Sequence, residues 1–319
     1  MLHLGSSGCA KVAARGPGRI IAGMSEWKVE DVLTARARLG ECPVWDRERG
    51  LLAWVDVYNH RVHQFDPATG RDRYFDTEEA VAAIALTRDE RLLLALVDRL
   101  ALLDPRSGRL EELCRLPLGH PDTRLNDGKC DARGRFWVGS ISSRPEEAAL
   151  YRYDPSDGSV QVMERGLTIS NGLGWSPDGA WFYLTDSPKR VIYAYRFDLA
   201  AGSISDRRVL VDLTREPVEP DGLAVDALGH LWSALWDGWG LICFDPDGRE
   251  LARQALPVQR PTSLTFGGDA LSDLYVTSAS VGLSQAEVQR GIRAGDLFRI
   301  TTDLVGLPTH RFTAAPASA

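Results

Sequence analysis

Four short motifs place a hard oxygen donor just ahead of a small or turn-forming residue: Glu41-Cys42-Pro43, Asp127-Gly128, Asn171-Gly172 and Asp221-Gly222. Each opens a similar stretch of about 20 residues: a short apolar run, an Asp/Pro/Gly turn and a second, aromatic run. Taken singly, Asp-Gly and Asn-Gly are ordinary turn dipeptides. Four such motifs at one place in a repeat, one of them a Glu outside any turn setting, carry more. If the repeats close into a ring, the four side chains converge on its axis, where uncompensated carboxylates would repel one another and lose hydration. Oxygen ligands that meet at a point bind a cation.

The elements that position these residues must therefore build a ring. Six units of about 40 to 50 residues run along the chain, from "ECPVWDRERGLLAWVDVYNHRVHQFDPATG" and "AVAAIALTRDERLLLALVDRLALLDPRSG" to "TSLTFGGDALSDLYVTSA" followed by "GDLFRI". Each has room for about four short strands, with Gly, Asp and Pro at the turns. The pattern predicts an all-β protein, a six-bladed β-propeller of four-stranded antiparallel blades forming a single domain over residues 24–319. Only Ser284 to Arg293 admits an amphipathic helical turn or two. Trp27 to Thr34, "WKVEDVLT", alternates as a strand that can pair with the last blade and close the ring, hiding edges that would otherwise lie open. Aligning the units on their first Gly or Pro puts Glu41, Asp127, Asn171 and Asp221 in register, with Ser263 in the sixth unit and an alanine near Ala82 in the second.

Composition excludes several partners. The chain has 319 residues, 44% of them hydrophobic, enough for a large core, and a net charge of −7 leaves no basic footprint for nucleic acid. No apolar run approaches the roughly 18 residues that span a bilayer, and no basic amphipathic helix suggests a membrane surface. Cys9, Cys42, Cys114, Cys130 and Cys243 form no CxxC pair, and an odd number of scattered thiols predicts reduced packing residues in a cytoplasmic protein. Residues 1–23, rich in Gly, Ala and Arg and without a secretory apolar stretch, read as a disordered tail or as an upstream start ahead of Met24. The expected assembly is a monomer or a weak homo-oligomer, and the expected partner is a small molecule.

Other constellations weigh less. His60 and His63 have HxxH spacing, but on a strand neighbours three apart face opposite sides, so both are expected at the surface. No GxSxG elbow, P-loop or GxGxxG is present. Trp232 fits a blade core, whereas Trp236 and Trp239 follow the inner strands, where they either pack or wall a pocket.

The motifs "LGECPVWD", "RLNDGKCDARGRFWVGS", "ISNGLGWSPDG" with "FYLTDS", "PDGLAVDALGHLWSALW" and "PTSLTFGG" resemble the gluconolactonase and regucalcin family of six-bladed, metal-dependent sugar lactonases, over Leu39 to about Pro308. Cys42 stands where many members have Gly. The resemblance implies a divalent cation (Ca, Zn, Mn or Fe(II)) held by Glu41, Asn171 and Asp221, with Arg124 and Asn126 approaching the substrate. It implies hydrolysis of a sugar 1,4- or 1,5-lactone, of the gluconolactone, arabinonolactone or xylonolactone class, to the aldonic acid. Asp221 is the candidate general base, since a ligand carboxylate with a free oxygen can hold the attacking water. Asp127 is either a carboxylate behind the ligands or a ligand for a second ion. Arg124 could instead pair with Asp122 or Asp131. A calcium-binding regulatory propeller, a phosphotriesterase-like hydrolase and a scaffold propeller remain as alternatives.

Overall fold

The structure, a computed structural model, describes residues 27–313. The segment 1–23, read above as a tail, lies outside the described residues. β1 (Lys28–Leu33) leads into blade one, formed by β2 (Gly40–Asp46), β3 (Leu51–Asp56), β4 (Arg61–Asp66) and β5 (Arg71–Asp76). Blade two holds β6 (Ala83–Leu86), β7 (Leu92–Ala95), β8 (Arg99–Leu103) and β9 (Leu110–Arg115). Blade three holds β10 (Arg124–Cys130), β11 (Phe136–Ile141), β12 (Ala148–Asp154) and β13 (Ser159–Leu167). Blade four follows with β14 (Ser170–Trp175), β15 (Trp181–Asp186), β16 (Val191–Asp198) and β17 (Ser203–Asp212). Blade five holds β18 (Glu219–Val225), β19 (Leu231–Trp236), β20 (Gly240–Phe244) and β21 (Glu250–Ala255). Blade six takes β22 (Pro261–Gly267), β23 (Asp273–Ser278) and β24 (Leu297–Thr301), and its outermost strand is β1.

All six sheets are four-stranded and antiparallel, and the inner strands β2, β6, β10, β14, β18 and β22 pack side by side around a central channel, β22 returning to β2. The ring closes as the alternation of Trp27 to Thr34 suggests: Val29 pairs with Ile300 and Glu30 with Arg299, whose guanidinium also grips the Glu30 carboxylate at 2.5 Å. Because each blade is covered by a neighbour on both faces, the central strands read as apolar runs rather than alternations. All four residues of β7, Leu92 to Ala95, are buried. The outer strands β5 (RDRYFD) and β9 (LEELCR) are largely exposed and charged, which discourages pairing with another chain. The helical turn expected near Ser284 is α1 (Gln285–Arg290), opened by a capping box in which the Ser284 hydroxyl accepts from the Glu287 N–H and the Glu287 carboxylate accepts from the Ser284 N–H.

One irregularity recurs at the start of the inner strands. The ladder gains one extra residue between Glu41 and Val44, Leu125 and Gly128, Ser170 and Leu173, Pro220 and Leu223, and Pro261 and Leu264. Only β6 pairs without it. A bulge of this kind bends the strand and re-aims a side chain. By the ladder, Asn126, Asn171, Asp221 and Thr262 occupy one position, Glu41 lies one residue before it, and Asp127 and Ser263 one after. This corrects the alignment on first Gly or Pro. In blade one the offset is absorbed at Cys42, which takes a left-handed φ of 45°.

The opposite end of the channel is crossed by the C-terminal segment. Gly306 bridges to Asp226, the Ala227 N–H donates to Val305 O at 2.8 Å, and Phe312 pairs with Thr87 in parallel. Arg311 reaches the buried Asp46 at 2.7 Å.

Candidate active site

Two buried aspartates at the ends of second strands shape the approach to the inner strands. Asp56 accepts from the N–H groups of Arg38 and Leu39, each at 3.1 Å, just before β2, and Asp186 accepts from Thr168 and Ile169, each at 3.2 Å, just before β14. The chain is thus delivered to these two bulges by a carboxylate that satisfies otherwise unpaired backbone donors.

At the bulges the structure gathers Glu41, Asn126, Asp127, Asn171 and Asp221 at one end of the channel. Asn171 and Asp221 are buried. The Asn171 carboxamide donates to the Ser187 hydroxyl at 3.1 Å, which fixes the orientation of its Oδ1. Neither Asn171 Oδ1 nor Asp221 Oδ1 has a hydrogen-bond partner, although both are buried. Glu41 Oε2 accepts from the Cys42 N–H at 3.1 Å, and Asp127 Oδ1 from the Gly128 N–H at 2.8 Å. Burial, and then the charges of Asp221 and Asp127, push the Glu41 carboxyl well above its ordinary value, with Arg124 pulling weakly the other way. Burial and then Asp127 do the same to Asp221, partly offset by the neighbouring Asn171 carboxamide.

Lys129 crosses the channel beneath these groups, its ammonium donating from blade three to Leu223 O of blade five at 2.9 Å. Burial lowers its pKa, and Asp127 partly restores it. The Cys42 thiol lies against Ile84 and Gly128 backbone, and burial raises its pKa far above the ordinary range, so it is an inert packing thiol.

Arg124 pairs with neither Asp122 nor Asp131: His120 faces the first at 3.5 Å and Arg135 holds the second at 2.7 Å. Instead Arg124 donates to Leu125 O at 2.8 Å and to Asn126 Oδ1 at 3.3 Å, while the Asn126 Nδ2 donates to Ser170 O at 3.2 Å. At the mouth, Arg260 lies 4.7 Å from the Trp236 ring centroid, and Trp239 is 38% exposed. Trp232 is fully buried in blade five. His63 departs from the expectation of a surface residue. It is buried on β4 opposite Trp54, stacked on that indole at 4.0 Å and bonded to Asp72 at 2.7 Å, because the middle of the blade is covered on both faces.

Ser187, Lys129 and Tyr58 escaped the sequence reading. Ser187 ends the quoted "FYLTDS" motif and was the findable one; Lys129, bonded to Leu223 O, and Tyr58, whose ring lies 5.9 Å from the Arg124 guanidinium of blade three, make contacts that cross between blades and leave no local pattern.

The acidic end fits a cation. Each orphaned buried acceptor costs about 1–3 kcal/mol, which a bound ion offsets. Among the described residues no three His, Cys, Asp and Glu side chains come close enough to hold an ion by themselves, so an ion there would also draw on a carboxamide oxygen, and that of Asn171 is the unpartnered one. A cavity of about 380 Å³ lies toward the other end, between Lys129, Trp175, Phe266 and the C-terminal Leu307 to His310. Its walls are mainly apolar, and the orphaned Asn171 and Asp221 oxygens are absent from them.

Residues 39–280 match the SMP-30/gluconolactonase/LRE-like region. The chain belongs to this family. It is 36% identical over 287 residues to a pentonolactonase of Haloferax volcanii, covering 89% of this chain and 97% of that one. It is 35% identical over 271 residues to a 6-deoxy-6-sulfogluconolactonase of Pseudomonas putida, covering 84% and 92%. Among solved structures it is similar to a calcium-binding regucalcin of Agrobacterium tumefaciens, with a TM-score of 0.85 at 26% identity over 90% of this chain and 98% of that one. Among the described residues no helix is long and apolar enough to cross a membrane.

Proposed function

We propose that the protein is a divalent-cation-dependent lactonase that opens a 1,4- or 1,5-lactone of a sugar acid to the aldonic acid. The observation that carries this reading is the pair of buried, partnerless oxygens, Asn171 Oδ1 and Asp221 Oδ1, facing the Glu41 carboxylate at the channel mouth. Glu41, Asn171 and Asp221 would hold the ion, two carboxylates balancing its charge. All are hard oxygen donors, suited to Ca or Mn and compatible with Zn or Fe(II). When bound, the cation polarises the lactone carbonyl and stabilises the negative charge that develops on it.

The chain's own groups then complete the reaction. Asp221 takes a proton from the water that attacks the carbonyl carbon and returns it to the ring oxygen as the C–O bond breaks, so the net change is addition of one water. Arg124 and Asn126, linked by their hydrogen bond, present donors and an acceptor to the sugar hydroxyls. Asp127, balanced by Lys129, lies behind the ligand set. The four free thiols among the described residues, Cys42, Cys114, Cys130 and Cys243, support a cytoplasmic setting.

Relatives named for a pentonolactone and for a sulfonated gluconolactone stand at nearly equal identity, so identity does not select the substrate. The test is base uptake on a panel of aldonolactones with chelator and with added Ca, Mn, Zn or Fe(II). Chelator-sensitive hydrolysis is expected. Tight ion binding with no hydrolysis of any lactone would leave a calcium-binding regulatory propeller instead.

A further inference from the structure

Two guanidinium groups at the channel mouth share one aromatic ring and have no counter-ion. Arg38 lies three residues before Glu41, about 10 Å of extended chain. Its backbone is pinned by Asp56 on one side and by the Val281 N–H, which donates to Arg38 O at 2.9 Å, on the other. The Arg38 guanidinium lies 5.6 Å from the Tyr58 ring centroid, and that of Arg124 lies 5.9 Å from the same centroid. Among the described residues neither has a carboxylate oxygen within 4.0 Å. The other mouth cations are neutralised: Arg260 by Asp237 at 2.6 Å and Lys189 by Glu146 at 3.1 Å.

Charge at the mouth therefore does not balance. Glu41 and Asp221 cancel a bound divalent ion, Lys129 offsets Asp127 and Arg190 offsets Glu219, which leaves Arg38 and Arg124 as excess positive charge at the rim. A cation resting on a ring can keep edge N–H donors free: Arg38 is exposed, and Arg124, with one terminal nitrogen bonded to Leu125 O and Asn126 Oδ1, retains its other terminal nitrogen. Two forks converging from one ring suit the oxygens of a single tetrahedral or planar anion.

We propose that Arg38, with Arg124 and Tyr58, receives an anionic group at the end of the substrate remote from the lactone carbonyl, so that the preferred lactones carry a terminal sulfonate, phosphate or carboxylate. This rests on the lactonase reading above. Arg38 precedes Glu41 by three residues, so the receptor and the ion-holding carboxylate stand on one short stretch of chain at the mouth.

The test compares kcat/KM for neutral gluconolactone with that for lactones of the 6-phosphate, the 6-sulfonate and the 6-carboxylate, and measures by calorimetry the binding of gluconate and its 6-phosphate. The anionic lactones should be favoured by about tenfold at low salt, discounted for the exposure of Arg38 and falling as ionic strength rises. Their ranking identifies the head group. Arg38→Ala should bring the ratio of anionic to neutral kcat/KM close to one, and Arg38→Lys should restore part of it. Equal use of neutral and anionic lactones by the wild type, or a ratio untouched by Arg38→Ala, overturns the receptor while leaving the lactonase intact. If no lactone is hydrolysed, the lactonase reading falls, and calorimetry still decides the receptor: 6-phosphogluconate binding no tighter than gluconate removes it.

Discussion

Replacing Asp221 by Asn keeps the shape of the side chain and removes its charge, and the structure predicts opposite effects with and without the cation. In the metal-free protein Asp221 is 5% exposed, its Oδ1 is unpartnered, and Asp127 and Glu219 add repulsion. A neutral carboxamide avoids most of that penalty, so chelated Asp221→Asn should be more stable than chelated wild type by about 1–3 kcal/mol. For a chain of this size that is a rise in Tm of roughly 1.5 °C per kcal/mol. At about 1,000 times Kd the cation should add about 4 kcal/mol to the wild type and far less to the variant, reversing their order. Lactone hydrolysis should fall by about 10²–10⁴-fold, as for loss of a general base. Thermal melts with chelator and across a cation titration, paired with base uptake, read all three. If chelation lowers Tm equally in both proteins, Asp221 is no ligand; if the chelated variant is the less stable, the reasoning from the orphaned oxygen is wrong.

Arg124→Ala should lower kcat/KM more than Asn126→Ala, by about 1.5–3 against 0.5–1.5 kcal/mol, with ion affinity near wild type in both; Asn126→Ala losing the ion would move Asn126 into the ligand set. Ser187→Ala frees the Asn171 carboxamide and should weaken ion affinity by about tenfold with the melting of the chelated protein unchanged, so calorimetry showing wild-type affinity would refute the orienting role. Asp296, pushed up to about 6 by burial and then by Asp31, should be stabilising only while protonated: its contribution is full below about pH 4 and is lost as pH rises through 6. Asp296→Asn, which can still accept the Arg36 N–H, should therefore add about 1–3 kcal/mol at pH 8 and nothing at pH 3.5, and a denaturation series showing no such divergence would contradict this. Deleting residues 1–33 removes β1 and bares the edge of β24, so it should lower Tm or aggregate the protein, whereas a variant lacking only residues 1–23 should match the full chain by scanning calorimetry.

The blades were legible because each repeats its own turn chemistry, and β1 because "WKVEDVLT" alternates with nothing nearby to pair with. The pit residues were legible for the same reason, each lying just before a turn-like Gly or at Glu41. What stayed hidden depends on the closed ring. The one-residue offset of Glu41 is invisible in one dimension, since Cys42 absorbs it through a left-handed φ that ordinarily marks glycine. The burial of His63 follows from Trp54, Tyr74 and Asp72 on the flanking strands of its own blade, and the span of Lys129 to Leu223 joins blades that are not adjacent in sequence. Tyr58 becomes notable only when Arg38 and Arg124, 86 positions apart in the chain, meet on its ring.

The inserted residue at the head of five inner strands makes the ring modular in its chemistry. Each bulge holds a side chain at the axis by a local distortion; at Asn171 and Asp221 the side chain makes no hydrogen bond to another blade, whereas Cys42, Asn126 and Thr262 also tie their blade to a neighbour. Blade two, with small buried Ala82 and Ala83 and no bulge, is a vacant socket in the same ring. Chemistry on such a scaffold can be exchanged one blade at a time, a new donor entering at blade two or at Ser263 without any strand being rebuilt. The set of oxygens that Glu41, Asn171 and Asp221 present is thus one setting of a six-position dial.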